Sequence, residues 1–277
     1  MRRRLTLTYK KSLAVPFIIW ILAGTIIPIG AIAYYGLTDR NENFTLENVL
    51  AIGDSVHLQA LWLSVLLALI STVICFLIAY PLAIIMRNSN LGKRGFMIFL
   101  FILPMWMNFL LRTMAWQVLL EKNGVINGVL ETIGLPALEI INTPAAVVLG
   151  MVYDFLPFMI LPIYNVMSKI DDSVIEAAYD LGASTSKVIT KIYLPLSIPG
   201  IVSGINMVFI PSLTTFVISN MLGGGKINLI GNIIEQEFTV SSNWNLGSGL
   251  SLVMMLFIIV SMIFLERFDK TGEDSFI

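Results

Sequence analysis

Charge and reactive side chains are scarce in this sequence. Of 277 residues, 13% are Asp, Glu, Lys or Arg, with one cysteine, one histidine and a net charge of −1. A lone cysteine, Cys75, cannot close an intrachain disulfide, and its place in a long apolar run makes it a packing residue. A lone histidine, His57, with no neighbouring ligand set, supplies neither a metal site nor an acid–base pair. No basic cluster interleaves with aromatics, so nucleic acid is not an expected partner. A nucleotide-binding loop is missing too. Gly223-Gly224-Gly225-Lys226 comes nearest, but the first glycine of that pattern would stand at Asn220, and Ile227 follows the lysine where Ser or Thr belongs. These glycines read as a turn. No internal repeat and no low-complexity segment stands out. The sequence therefore predicts no catalytic centre, no metal site and no cofactor bound by this chain.

Apolar residues are abundant instead. They make up 57% of the chain, and a mean hydropathy of +0.85 exceeds what a soluble core of this size can hide. The chain is expected to be an all-α, polytopic membrane protein. A span needs about 20 apolar residues to cross about 30 Å of hydrocarbon, and six stretches qualify: Leu13 to Tyr35, Ala60 to Met86, Phe96 to Leu120, Pro144 to Met167, Ile201 to Met221 and Leu250 to Leu265. One side of the membrane receives Arg2, Arg3, Arg4, Lys10, Lys11, Arg87, Lys93, Arg94, Lys169, Lys187, Lys191, Arg267 and Lys270; the other receives Arg40, Lys122 and Lys226. This asymmetry places both termini in the cytoplasm. In the outer loops, Asn123-Gly124 and Asn127-Gly128 read as bends and Leu130 to Leu138 as a short surface helix. The whole of 1–277 reads as one transmembrane domain, with 168–200 as a cytoplasmic loop inside it.

That loop is amphipathic. Asp171 and Asp172 suit an N-cap and first turn, Val174, Ile175, Ala178 and Leu181 recur on one side, and Gly182 is a stop signal. A second helix is expected from Ser184 toward Pro195. Such a loop could lie on lipid, but an interfacial helix is rich in Lys or Arg, and here Asp171, Asp172, Glu176 and Asp180 outnumber Lys169, Lys187 and Lys191. Glu176-Ala177-Ala178, then Gly182, Ile192 and Leu194-Pro195, resemble the EAA signature of bacterial ABC-importer permeases. The resemblance implies the type I ABC importer permease fold in a bacterial cell membrane. It makes Glu176, Ala177, Ala178 and Gly182 the residues that couple to a cytoplasmic ABC ATPase dimer, on which ATP and Mg bind. It also implies a second, homologous permease subunit and an extracytoplasmic substrate-binding protein.

Two ionisable residues lie well inside spans, where they are costly and face a cavity or a partner. Arg112 is eight residues from the outer end of the third span and Asp154 ten from the start of the fourth, which puts them about 12 and 15 Å deep at about 1.5 Å per residue. Asp154 reads as the ion-pair partner of Arg112, as a pathway carboxylate for a cationic solute, or as a protonated, packed acid. Near them Trp106, Asn108, Tyr153 and, in the fifth span, Phe216 are candidate pathway residues, since aromatic faces attract alkylammonium groups. Gly200 and Gly204 read as a close-packing pair. PMWMNFLLRTMAW from Pro104, VYDFLPFMILPIY from Val152 and IPSLTTF from Ile210 resemble the spermidine/putrescine permeases of the same class. A polyamine importer subunit is therefore expected, with an importer of another small solute as the near alternative. A proton-coupled carrier using Asp154 and Arg112 is the alternative from a different class.

Overall fold

The computed structural model describes residues 15–89 and 96–273. Leu13 and the basic residues Arg2, Arg3, Arg4, Lys10, Lys11, Lys93 and Arg94 lie outside the described residues, as does the side chain of Lys270. Among the described residues no strand forms, and a single isolated bridge joins Thr38 to Phe44. In chain order the elements are α1 (Val15–Gly36), α2 (Glu47–Leu50), α3 (Ser55–Asn88), α4 (Phe96–Ile102) with a 3₁₀ turn Leu103–Trp106, α5 (Phe109–Leu120), α6 (Val125–Thr132) and α7 (Pro144–Met167). They continue with α8 (Asp172–Asp180), α9 (Thr185–Leu196), α10 (Ile198–Thr214), α11 (Val217–Leu222), α12 (Ile230–Thr239) and α13 (Trp244–Glu273).

Four of these are long and apolar enough to cross a membrane: α1, α3, α7 and the Trp244–Arg267 part of α13. The number reaches six when two bent pairs are each taken as one span. The first bend falls where Pro104, Met105, Trp106 and Asn108 interrupt the third apolar stretch. Ile98–Trp106 meets Phe109–Thr132 at 93°. Pro104 has no N–H for the preceding turn, and Met107 and Asn108 are extended, at ψ 147 and 128, before α5 restarts. The fifth stretch breaks at Thr215 and Phe216, and Thr185–Leu196 meets Ile198–Thr214 at 67°, with Pro199 in the first turn of the new helix.

Contacts divide the chain into two compact units. The larger, Gln59–Ile233 with the residues from Ile258 onward, is built on α7, whose Met151, Met159, Ile160, Ile163 and Met167 are fully enclosed. α10 approaches it closely. A Cβ on Gly200 would stand 2.8 Å from the Pro162 carbonyl, and one on Gly204 2.7 Å from Met159 Sδ, so this glycine pair does serve close helix packing. Polar Ser64, Ser71, Thr113 and Asn232 are buried, while Trp62, Leu77 and Phe264 are more than 60% exposed. This inverts the soluble pattern and suits a lipid-facing surface.

In the smaller unit, built from residues up to Leu58 and from Ile234–Phe257, Asn245 Nδ2 donates to the Thr38 carbonyl at 2.7 Å and Asn48 Nδ2 to the same oxygen at 2.9 Å. Asp39 accepts the backbone N–H groups of Asn43 and Asn41, and these bonds hold its carboxyl below the usual carboxylate range.

The short helix expected at Leu130 to Leu138 runs over Val125–Thr132 instead. It ends where Gly134 takes φ +78 and the Leu135 N–H bonds the Leu130 carbonyl at 2.9 Å, just before Pro136. Asn127 is not in a bend. It is buried inside α6, where its amide receives the Leu138 N–H at 2.7 Å and donates to the Leu138 carbonyl at 3.1 Å. The side chain supplies the bonds that would otherwise be made in a turn.

Candidate functional site

The loop between α7 and α10 is closed at both ends of its first helix. Asp171 accepts the Ser173 N–H at 2.9 Å as N-cap of α8, and this bond lowers the carboxyl's pKa. At the other end Gly182 adopts φ +78, its N–H bonds the Tyr179 carbonyl at 2.9 Å, and the Ala183 N–H bonds the Ala178 carbonyl at 3.0 Å. This is a complete Schellman closure. A Cβ on Gly182 would meet nothing within 4 Å, so the position needs glycine for its backbone conformation alone.

Only part of the expected apolar face is covered. Ile175 is buried and Ala178 packs on the core, but Val174 is 44% and Leu181 90% exposed. Glu176 and Ala177 are exposed as well. A nine-residue helix presents Ile175 and Ala178 inward and leaves Val174 and Leu181 to either side, so it offers the solvent an apolar surface flanking a carboxylate. α9 follows as α-helix to Val188 and then as a π-helical stretch, Ile189–Tyr193, which buries the Tyr193 ring.

Arg87, at the end of α3, binds this loop to the spans. It is 8% exposed. Its Nε donates to the Met167 carbonyl at 2.9 Å, Nη2 to the Ile170 carbonyl at 2.8 Å and to Asp172 Oδ1 at 2.9 Å, and Nη1 to the Tyr193 hydroxyl at 2.8 Å and Asn88 Oδ1 at 3.4 Å. All five guanidinium N–H groups find acceptors. The Tyr193 hydroxyl in turn donates to Asn88 Oδ1 at 3.1 Å.

Deeper in the larger unit, the structure brings Arg112, Tyr153 and Asp154 together. Arg112 Nε lies 2.9 Å from Asp154 Oδ1, with the two side chains 8% and 1% exposed. Neither atom makes a well-aligned hydrogen bond, so the pair is an electrostatic contact rather than a forked one. Asp154 Oδ2 accepts from the Thr113 hydroxyl at 3.3 Å, and Arg112 Nη1 donates to the Pro104 carbonyl at 2.9 Å. The guanidinium also lies 5.9 Å from the Tyr153 ring centroid, and Trp116 meets that ring edge-on at 5.2 Å. Asn108 caps α5, accepting the Leu110 N–H at 2.9 Å. The groove beside Tyr153, lined by Ile70, Ile74, Trp116, Val148 and Val152, is almost entirely apolar and does not suit a polycation.

Trp106 and Phe216 sit at the two helix breaks. Trp106 is 76% exposed and packs edge-on against Phe99. Phe216 is 39% exposed, and its carbonyl accepts from Asn232 Nδ2 at 3.1 Å. Asn232 organises that break: it also donates to Asn220 Oδ1 at 2.6 Å and accepts from the Ser219 hydroxyl at 2.6 Å and the Leu229 N–H at 2.9 Å. Beside it, a Cβ on Gly231 would come within 2.6 Å of the Thr214 carbonyl.

Arg87 and Asn232 carry this architecture and were not assigned roles from the sequence. Arg87 counted only as a topological charge.

Residues 78–271 match the family described as binding-protein-dependent transport system inner membrane component. The spermidine/putrescine transport system permease protein PotB of Haemophilus influenzae is 38% identical over 87% of this chain and 88% of its own length. PotB of Escherichia coli is 36% identical over 77% and 78%. The chain also superposes on a chain of a bacterial alginate ABC transporter crystallised with a periplasmic protein carrying an alginate pentasaccharide. The TM-score is 0.80 over 96% of this chain and 94% of that one, at 17% identity. The MetNI methionine ABC transporter in an inward-facing conformation gives 0.53 over 78% and 94%, also at 17% identity. The fold is that of ABC transporter permeases.

Proposed function

Because the chain belongs to the binding-protein-dependent transport system inner membrane component family, we propose that it is the membrane-spanning subunit of an ATP-driven importer of polyamines. The substrate class rests on the identity to the two PotB permeases across most of the chain. The chain is a multi-pass cell-membrane protein. Its partners are a cytoplasmic ATPase dimer holding ATP and Mg, a second and homologous permease subunit, and an extracytoplasmic binding protein that delivers the solute. The match to a transporter crystallised with its periplasmic protein supports the last of these.

The observation that carries the coupling reading is the loop helix α8, capped at both ends and presenting Glu176, Ala177 and a 90% exposed Leu181 outward. ATP turnover on the partner supplies the energy. α8 receives the motion in the ATPase cleft, and the packing of Ile175 and Ala178 passes it to the spans. For the solute, Asp154 is already neutralised by Arg112, so this pair ties α5 to α7 rather than attracting a polyamine. Trp106 and Phe216, with the Asn108 amide, are the groups proposed to meet alkylammonium along the pathway, while the Tyr153 ring, with Arg112 beside it and an apolar groove around it, is left to packing.

A proton-coupled carrier built on Arg112 and Asp154 would move solute on a proton gradient without nucleotide. The deciding test is ATP hydrolysis by the reconstituted complex as loaded binding protein is added. Turnover stimulated by spermidine or putrescine supports the assignment, and turnover indifferent to both overturns the substrate class.

A further inference from the structure

We propose that Arg87 is a positioning residue for energy coupling, the tie through which displacement of the loop reaches the spans. This inference rests on the loop being the ATPase-coupling element. Arg87 joins four segments: the end of α3 that bears it, the carbonyls of Met167 at the end of α7 and Ile170 just beyond it, Asp172 at the start of α8, and Tyr193 in the π-helical part of α9. Apart from it the loop packs on the core through apolar side chains, Ile175, Ala178 and Ala183 around α8 and Val188, Ile189 and Ile192 on α9, contacts that pass a displacement on without fixing its direction. With it, both loop helices are pinned to two spans by one rigid, planar group. The guanidinium also stacks over the Tyr193 ring, 5.2 Å from its centroid.

The chemistry requires arginine. Five donors in a fixed fork satisfy five acceptors here, whereas lysine has three donors on one nitrogen and no plane to stack. The bonds to the Met167 carbonyl and the Tyr193 hydroxyl are buried, so a group lost there is costly to replace, while Asp172 is 63% exposed. Arg87 is therefore distinct from Glu176 and Ala177. Those residues face the partner, while Arg87 faces inward and acts through the loop.

The test uses the full complex in liposomes and measures two rates in the same vesicles, ATP hydrolysed and spermidine accumulated. For Arg87→Lys the ratio of solute moved to ATP hydrolysed falls about tenfold, the scale set by the loss of one or two charge-assisted hydrogen bonds. Tyr193→Phe lowers the ratio less, and the double variant is no worse than Arg87→Lys, because both changes act on one contact. A merely structural role would reduce the amount of complex and both rates together, leaving the ratio intact; an unchanged ratio overturns the inference. If the Arg87→Lys complex is not recovered, Tyr193→Phe decides alone, since it removes one hydroxyl and leaves the other four acceptors in place. Glu176→Lys is measured alongside. If it too leaves the ratio intact, the coupling role of the loop fails; if only Glu176→Lys lowers it, the role of Arg87 alone fails.

Discussion

Arg112 and Asp154 stand 2.9 Å apart in a buried setting, yet the guanidinium Nε–H does not aim along that line. Both charges are held in place by other bonds, Arg112 to the Pro104 carbonyl and Asp154 to the Thr113 hydroxyl. Losing one partner leaves the other charge stranded, which costs about 3–5 kcal/mol in a buried pair. Asp154→Asn or Arg112→Gln alone should therefore lower the unfolding midpoint of the detergent-solubilised complex, and the double variant should recover most of the loss. A double variant as unstable as the summed singles would show that the two residues do not act as a pair.

Asn232 and Gly231 close the break in the fifth span. Asn232→Ala strands the buried Leu229 N–H, at a cost of about 1–3 kcal/mol, and removes the bonds that join Ser219, Asn220 and the Phe216 carbonyl across the break. Gly231→Ala pushes a methyl against the Thr214 carbonyl, a backbone atom that cannot swing aside. Both should lower thermal stability. Gly128→Ala, where a methyl meets nothing within 4 Å, serves as a control that should not.

Gly182→Ala introduces no clash, so its effect isolates the left-handed backbone, at about 1–2 kcal/mol. Amide exchange should quicken at Gly182 and Ala183, whose N–H groups make the closure, while α7 stays protected.

The Asp171 cap adds a pH dependence. Its carboxyl titrates below the ordinary value in the folded chain, so its contribution to α8 is present above the unfolded pKa and is lost as pH falls through the lowered one. Exchange at the Ser173 amide, corrected for intrinsic rates, should be insensitive to pH near neutrality and rise in acid. Asp171→Ala should show the fast rate throughout, and Asp171→Asn, which keeps the acceptor oxygen, should not.

Ala177 is exposed on α8 and Val129 on α6. A photocrosslinker placed at Ala177 should capture the ATPase, and one at Val129 should not. Capture from Val129 instead would invert the orientation read from the basic residues.

What the sequence made legible was local or one-dimensional. Asp171 and Gly182 mark the ends of α8 because caps and left-handed stops depend on a few adjacent residues. The depths of Arg112 and Asp154 could be matched by counting rise per residue, and the count survives because the break at Pro104–Asn108 lies on the far side of Arg112 from Leu120. Directions were not legible: hydropathy reports length, so a 93° turn inside one apolar stretch leaves no trace in it. Nor was the role of Arg87, whose main acceptors lie 80 to 106 residues away, half of them backbone carbonyls, which carry no sequence signature. Asn127 misled for a related reason, since an Asn-Gly pair signals a bend unless the side chain is claimed by a distant backbone, here Leu138.

The most direct measurement is uptake of labelled spermidine by liposomes carrying this chain with its partner subunits and binding protein, with and without ATP on the ATPase side, beside a Glu176→Lys version. The account predicts uptake that requires ATP and is abolished by Glu176→Lys. Uptake that proceeds without ATP on a proton gradient alone, and is unchanged in Glu176→Lys, would contradict it.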